Sequence, residues 1–333
     1  MSIPPDLAAL VNAEFKVIES TTVETYPAFK VKTIRNTEEP FLNLLKKTKP
    51  LNLLPLLRKN HDSLLLIFVP RPATKPKNPL INLLLLVATV ATTLIAGYYI
   101  AAGFGDPLTN AILFSATILI VLGTHEYGHK LASSRQKTNT TLPYFIPGPP
   151  PLGTMGAIIF QDGPAPNRNA AFDVGVSGPV TGFIFAVIAS AIGLYFSPVV
   201  ASSLGTPSLP LIMTLLTSVL GIHPPPGHIL VLHPIAFAGL VGLFATWLNL
   251  LPASTLDGGH VIHALGGKRI QQIFTIIVIF ALGIIGLFTF SLFILFFSTM
   301  PYPEPLDNVS QLSTKRKLFI PTLVAIFILC FFA

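Results

Sequence analysis

The sequence predicts an α-helical polytopic membrane protein of about six transmembrane helices, with a small N-terminal α+β soluble domain and a Pro-rich membrane-associated loop or β-hairpin. Three observations predict it. Of 333 residues, 51% are hydrophobic and 11% charged, against about 25% charged in an ordinary soluble domain. Nineteen charged residues fall in the first 79 positions and 16 in the remaining 254. Several apolar runs after residue 79 approach the roughly 20 residues that a bilayer core of about 30 Å demands of a helix. The expected partition is a soluble domain over 1–72, a basic Pro-rich linker over 73–79 and a membrane domain over 80–333.

In the first part, Leu7, Leu10 and Val11 recur at helical spacing, and EFKVIES and YPAFKVKTI read as strands. A helical PFLNLLKK follows, and then the strand SLLLIFVP, stopped by Pro70 and Pro72. About four strands and two helices are expected. The opening residues MSIPPDLAALVNAEFKV carry neither a basic region nor an apolar core, so no cleaved targeting segment is expected.

The expected spans are 80–102, 108–131, 172–196 and 229–251, then 270–297, long for one helix and short for two, and finally 318–333. Gly283 and Gly286 are candidate breaks in the long run. The stretch 207–220 is apolar but short, as an interfacial or re-entrant piece would be. Lys75 and Lys77 precede the first span, Lys130, Arg135 and Lys137 follow the second, and Lys268 and Arg269 follow the fourth. All three clusters fall on one side, which the positive-inside rule makes cytoplasmic. In a prokaryote the membrane would be the plasma membrane. Lys315, Arg316 and Lys317 join that side only if 270–297 is a hairpin. The net charge of +7 is explained by these flanking cations, and no nucleic-acid partner is expected. Cys330, the single cysteine, sits in an apolar tail and is expected to be inert.

The second span reads AILFSATILIVLGTHEYGHKLA and places His125, Glu126 and His129 in an apolar helix. Ionisable groups are costly in lipid and mark function by default. Four residues apart, the two imidazoles project from one helix face and can grip one metal ion. Glu126 can then reach a water at that metal, the HExxH arrangement of a zinc metalloprotease. A pair of helix-packing histidines is the bland alternative, disfavoured by the apolar surroundings.

A catalytic zinc takes a third protein ligand and keeps one open position. Asp106, Asp162, Glu304 and Asp307 fall in loops, and Asp173 reads as a helix cap. Asp257 remains, in NLLPASTLDGGH, where Pro252, Gly258 and Gly259 let the backbone bend. An Asp-Gly turn explains Asp257 equally well on its own; beside the HEYGH helix, the ligand reading is the stronger. His125 precedes Leu131 by six residues, which puts the metal about 9 Å inside the cytoplasmic end, so water must enter by a polar cleft from that side.

HEYGH, SGPVTG at 177–182 and NLLPASTLDGGH at 249–260 resemble the site-2 protease family of intramembrane zinc metalloproteases. TLPYFIPGPPPLGTMGAIIFQ and PAPNRNAAFDVGVSGP resemble its archaeal and plant-chloroplast-type branch. The resemblance covers residues 80–316 and extends to the N-terminal domain. It implies that His125, His129 and Asp257 hold one Zn²⁺, that Glu126 is the catalytic acid and base, and that the substrates are transmembrane proteins in the bilayer. PAST stands where the family pattern has a PxGQ-like string, so no role passes to Ser254 or Thr255.

Asn249 and His260 are near enough in the chain to be oxyanion donors or to support the ligands; for His260 a structural role is equally open. Gly156, Ile158 and Ile159, in GAIIFQ after the prolines of 142–161, are candidates for binding an extended substrate at a strand edge, with a plain membrane-dipping lid as the alternative. His223, His228 and His233 lie on the opposite side among prolines and read as loop histidines; His61 and His263 have no visible partner. A metal-binding transporter or a noncatalytic scaffold is the competing function. Its usual marks, ionisable groups strung along a path and internal repeats, are absent from the sequence. The oligomeric state is left open.

Overall fold

The computed structural model describes residues 5–32, 36–60, 62–72, 78–202, 208–300 and 302–331. Lys75 and Lys77 of the linker, and His61, lie outside the described residues. The N-terminal part consists of α1 (Pro5–Glu14), β1 (Val17–Val23), β2 (Tyr26–Val31), α2 (Glu38–Thr48), β3 (Leu53–Asn60) and β4 (Ser63–Pro70). The strands form one antiparallel sheet in the order β1-β2-β4-β3. In β4, Leu64, Leu66 and Phe68 alternate inward, the period of 2 that a half-buried strand requires. Leu7, Val11 and Phe15 from α1 and its end, with Phe41 and Leu44 of α2, complete the core.

That core also takes Leu306, only 3% exposed, from the far end of the chain. The segment 304–310 lies alongside β3: Leu57 N–H donates to Leu306 O at 2.8 Å and Asn308 N–H to Leu57 O at 3.2 Å. On its other side, Leu306 and Asp307 N–H groups donate to Ala165 and Pro166 carbonyls. The core of the N-terminal sheet and helices thus also takes in a strap, residues 304–310, from the far end of the chain.

The membrane part contains α3 (Pro79–Ile100), α4 (Pro107–Arg135), β5 (Tyr144–Pro147), β6 (Thr154–Ile158), α5 (Arg168–Tyr195), β7 (Val199–Ala201), α6 (Leu211–Val219), β8 (His228–Leu230), α7 (Pro234–Leu250), α8 (Asp257–Ile284), α9 (Phe288–Ser298) and α10 (Thr314–Leu329). Asn78, Asp106 and Asn167 cap α3, α4 and α5 through their side-chain oxygens, and Pro79 and Pro107 open the first two of these helices, where a missing N–H costs nothing. Four described helices, α3, α4, α5 and α8, are long and apolar enough to cross a bilayer. The expected count of about six is not reached on that measure. The 17-residue α7 is about 25 Å long, and α9 has 11 residues.

Hydropathy alone overstates α8. Gly267, at φ 75° and ψ −173°, interrupts it, and past that point the chain reverses: Gln271 and Thr275 of the second arm bond to Ser254, ahead of the first. The long run 270–297 turns at Gly286, with Gly283 still helical, and Ser291 Oγ donates to Ile279 O across the turn at 2.8 Å. This hairpin returns the chain to the end that carries α4's last turn and the start of α5. There Arg316 holds Asp173 with two hydrogen bonds of 2.6 Å, and Gln136 reaches the same carboxylate. The basic groups at 130–137, 268–269 and 315–317 thus share one end with the N-terminal domain. The short β7–β8 pair and α6 occupy the other, where Leu211 N–H donates to Phe331 O.

Candidate metal centre

His125 and His129 face α5 from the C-terminal half of α4, which runs on to Arg135 instead of ending at Leu131 because its last turns are amphipathic, with Ala132 and Ser133 buried. They are 6% and 7% exposed, and Glu126 is 8% exposed. α5 meets them with glycine. A Cβ at Gly178 would fall on the His129 ring, and one at Gly182 would crowd His125. In return Gly128 accommodates Thr181 and the Ser177 carbonyl. Gly178 and Gly182 are small residues four apart on α5, the spacing that lets backbones approach closely.

His129 Nδ1–H donates to Val174 O at 2.8 Å. That bond fixes the tautomer and leaves Nε2 as a lone-pair donor, the usual support of a metal-ligating histidine. Asp257 is the first residue of α8. Its turn is packed so closely that side chains at Gly258 or Gly259 would strike carbonyls of Leu250, Leu251, Ala253 and Ser254. The carboxylate is thereby carried across to α4. Asp257 Oδ2 lies 3.2 Å from His125 Nε2 and 3.3 Å from His129 Nε2, and the two imidazole nitrogens are 3.1 Å apart.

Three donor atoms at 3.1–3.3 Å form a nearly equilateral triangle. Ligands about 2.0–2.1 Å from a tetrahedral zinc are separated by about 3.3 Å, so the donor set fits the face of such a site in both chemistry and size. Ligand atoms of His125, Glu126 and His129 also all lie within 4.8 Å of one another, so Glu126 stands beside the same two imidazoles.

Asn249, near the end of α7, places its side-chain amide 3.4 Å from His125 Nε2. His260 turns to Tyr302, whose hydroxyl is 2.7 Å from His260 Nδ1. Ile159, just past β6, brings its backbone N–H toward the Glu126 carboxylate. Gly156 and Ile158 lie in β6, which pairs with β5 alone; β5 is tethered to α3 by Asn82, which donates to the Leu142 and Pro143 carbonyls, and Thr92 Oγ1 donates to Gly153 O in the turn. His223, His228 and His233 are at the opposite end: His228 is in β8, and His233 caps α7 between the rings of Phe104 and Phe196.

Sequence reasoning passed over Gly178, Gly182 and the Val174 carbonyl. The small-residue spacing inside SGPVTG was the available signal for the glycines; nothing local announces a backbone acceptor.

The pattern of peptidase family M50 matches residues 113–290, just over half of the chain. Similar relatives include the "probable zinc metalloprotease EGY1, chloroplastic" of Arabidopsis thaliana, 31% identical over 64% of this chain and 41% of the relative. The protein of the same name from Oryza sativa subsp. japonica is 28% identical over 62% and 38%. The "probable zinc metallopeptidase EGY3, chloroplastic" of Arabidopsis thaliana is 26% identical over 61% and 39%. The chain thus spans about two fifths of the length of these relatives. No solved structure matches it. With the HExxH helix and the Asp257 turn both inside the matched region, the chain belongs to peptidase family M50.

Proposed function

We propose that the protein is an intramembrane zinc metalloprotease, hydrolysing peptide bonds of membrane-spanning substrates. The observation that carries the reading is the triangle of Asp257, His125 and His129 donor atoms at 3.1–3.3 Å, with Glu126 beside it. His125, His129 and Asp257 hold the ion. Zinc there supplies Lewis acidity, bringing the pKa of a water molecule down toward neutrality.

Glu126 accepts the proton of the attacking water and returns it to the leaving amine. The Val174 carbonyl keeps His129 in the required tautomer. Asn249, with its side-chain amide 3.4 Å from His125 Nε2, is the donor for a developing oxyanion. A substrate helix must unwind before its peptide bonds are reachable, and the edge of β6 not bonded to β5, leading to the Ile159 amide at Glu126, offers a main-chain partner for the extended segment. The end that gathers the basic clusters and the N-terminal domain faces the cytoplasm, by the positive-inside rule.

Glu126→Gln preserves shape and removes the base. Purified Glu126→Gln protein is expected to retain zinc, measured by elemental analysis, while cleavage falls by about 10²-fold or more, read by comparing membrane proteomes with active and mutant enzyme. Wild-type cleavage by the variant overturns the mechanism.

A further inference from the structure

The turn that presents Asp257 is held from behind. Gln271, almost fully buried in the second arm of α8, donates its amide to Ser254 O at 2.8 Å and to Gly259 O at 3.4 Å, bracketing Asp257 from both sides in sequence. Thr275, one turn on, accepts the Ser254 N–H at 2.8 Å and donates to Gln271 O. The clamp exists because the chain reverses at Gly267.

The same clamp leads outward. Gln271 Oε1 is 3.3 Å from His263 Nδ1, and Asn308 Oδ1 is 3.4 Å from His263 Nε2. A neutral imidazole has one N–H and serves one of these oxygens at a time, so Gln271 and Asn308 are coupled through the ring. Asn308 sits in the strap, and its backbone N–H donates to Leu57 of β3. Arg58 Nη1 fixes the strap through the Pro305 and Leu306 carbonyls at 3.0 and 2.8 Å. Tyr302, two residues ahead of the strap, packs against His263 with ring centroids 4.6 Å apart and bonds His260, three residues after Asp257.

We propose that docking of the N-terminal domain on the 304–310 strap sets the position of the Asp257 carboxylate through Asn308, His263 and Gln271. These are positioning residues, acting through the turn and not on substrate. The inference rests on Asp257 being a metal ligand, and it makes the N-terminal domain a determinant of metal affinity. Groups supporting first ligands commonly change metal affinity by roughly 10- to 100-fold when removed.

The test is zinc affinity of the full-length protein in detergent, by competition with a chromogenic chelator. Asp257→Ala is expected to abolish tight binding; if it binds zinc normally, the metal-centre reading itself fails. With that established, Gln271→Met and Thr275→Val are expected to weaken zinc by about 10-fold, and Arg58→Ala, at the β3 end of the relay, by a smaller measurable factor. The combined Arg58→Ala and Gln271→Met protein should bind no more weakly than Gln271→Met alone, since both act along one chain, and excess zinc should restore cleavage in each. Unchanged affinity in Thr275→Val and Gln271→Met proteins that melt cooperatively overturns the clamp. Unchanged affinity in Arg58→Ala, or effects that multiply in the double variant, overturns the link to the N-terminal domain. If Gln271→Met does not fold, Thr275→Val paired with Arg58→Ala carries the same comparison.

Discussion

Gly178 and Gly182 decide how close α5 comes to the two imidazoles. A methyl group at Gly178 meets three atoms of the His129 ring, while one at Gly182 meets the nearer side of His125. Overpacking of this kind costs about 1–3 kcal/mol when neighbours must shift, and here the neighbour that gives way is a proposed ligand. Gly178→Ala is therefore expected to lower the melting temperature and to leave less than one zinc per chain by elemental analysis; full zinc content would show that the ring has room to move. The contrast with His125 and His129 explains what was legible. Two histidines four apart on one helix are neighbours by local geometry, so the sequence states their partnership outright. The glycines serve partners on another helix, and only the packed structure says which face they line.

At the scale of elements, apolar length proved a weaker guide than residue pattern. The run from Asp257 to Ile284 has the composition of one span, yet Gly267 occupies backbone territory that is essentially closed to other residues, and Lys268 and Arg269 follow at once. Averaged hydropathy does not register a reversal made by one residue. The loop 142–161 is more legible: its prolines flank the β5–β6 pair, and the strand signal in GAIIFQ overlaps β6 at 156–158, since strand and turn residues are local signals. That pair supplies a test. Proline at Ile159 deletes the N–H that reaches Glu126, and proline at Ile158 disturbs the last paired residue of β6. Each is expected to reduce cleavage roughly five- to tenfold, as loss of a main-chain hydrogen bond worth about 1 kcal/mol or more would, with zinc content unchanged. Normal cleavage in both would favour a lid that takes no main-chain part in holding substrate.

Across the whole molecule, Asp307 is the point where the N-terminal domain, the strap and α5 are fastened together. It accepts hydrogen bonds from Thr37 Oγ at 2.7 Å and from the Val309 and Ser310 N–H groups, and its own N–H donates to Pro166 O. Burial has the largest influence on its carboxyl group and raises the pKa above the ordinary carboxylate value, against these hydrogen bonds and the charge of Arg168. A carboxyl group raised on folding contributes its stability in full below its unfolded pKa, near 4. That contribution is lost as the pH climbs through the folded value. Asp307→Asn has no such titration. The melting temperature of the wild type, taken relative to Asp307→Asn at each pH, is accordingly expected to be highest in acid and to decline as the pH rises above about 4. A difference that grows with pH would mean that the hydrogen bonds and Arg168 outweigh burial, and that the junction is fastened by the charged carboxylate.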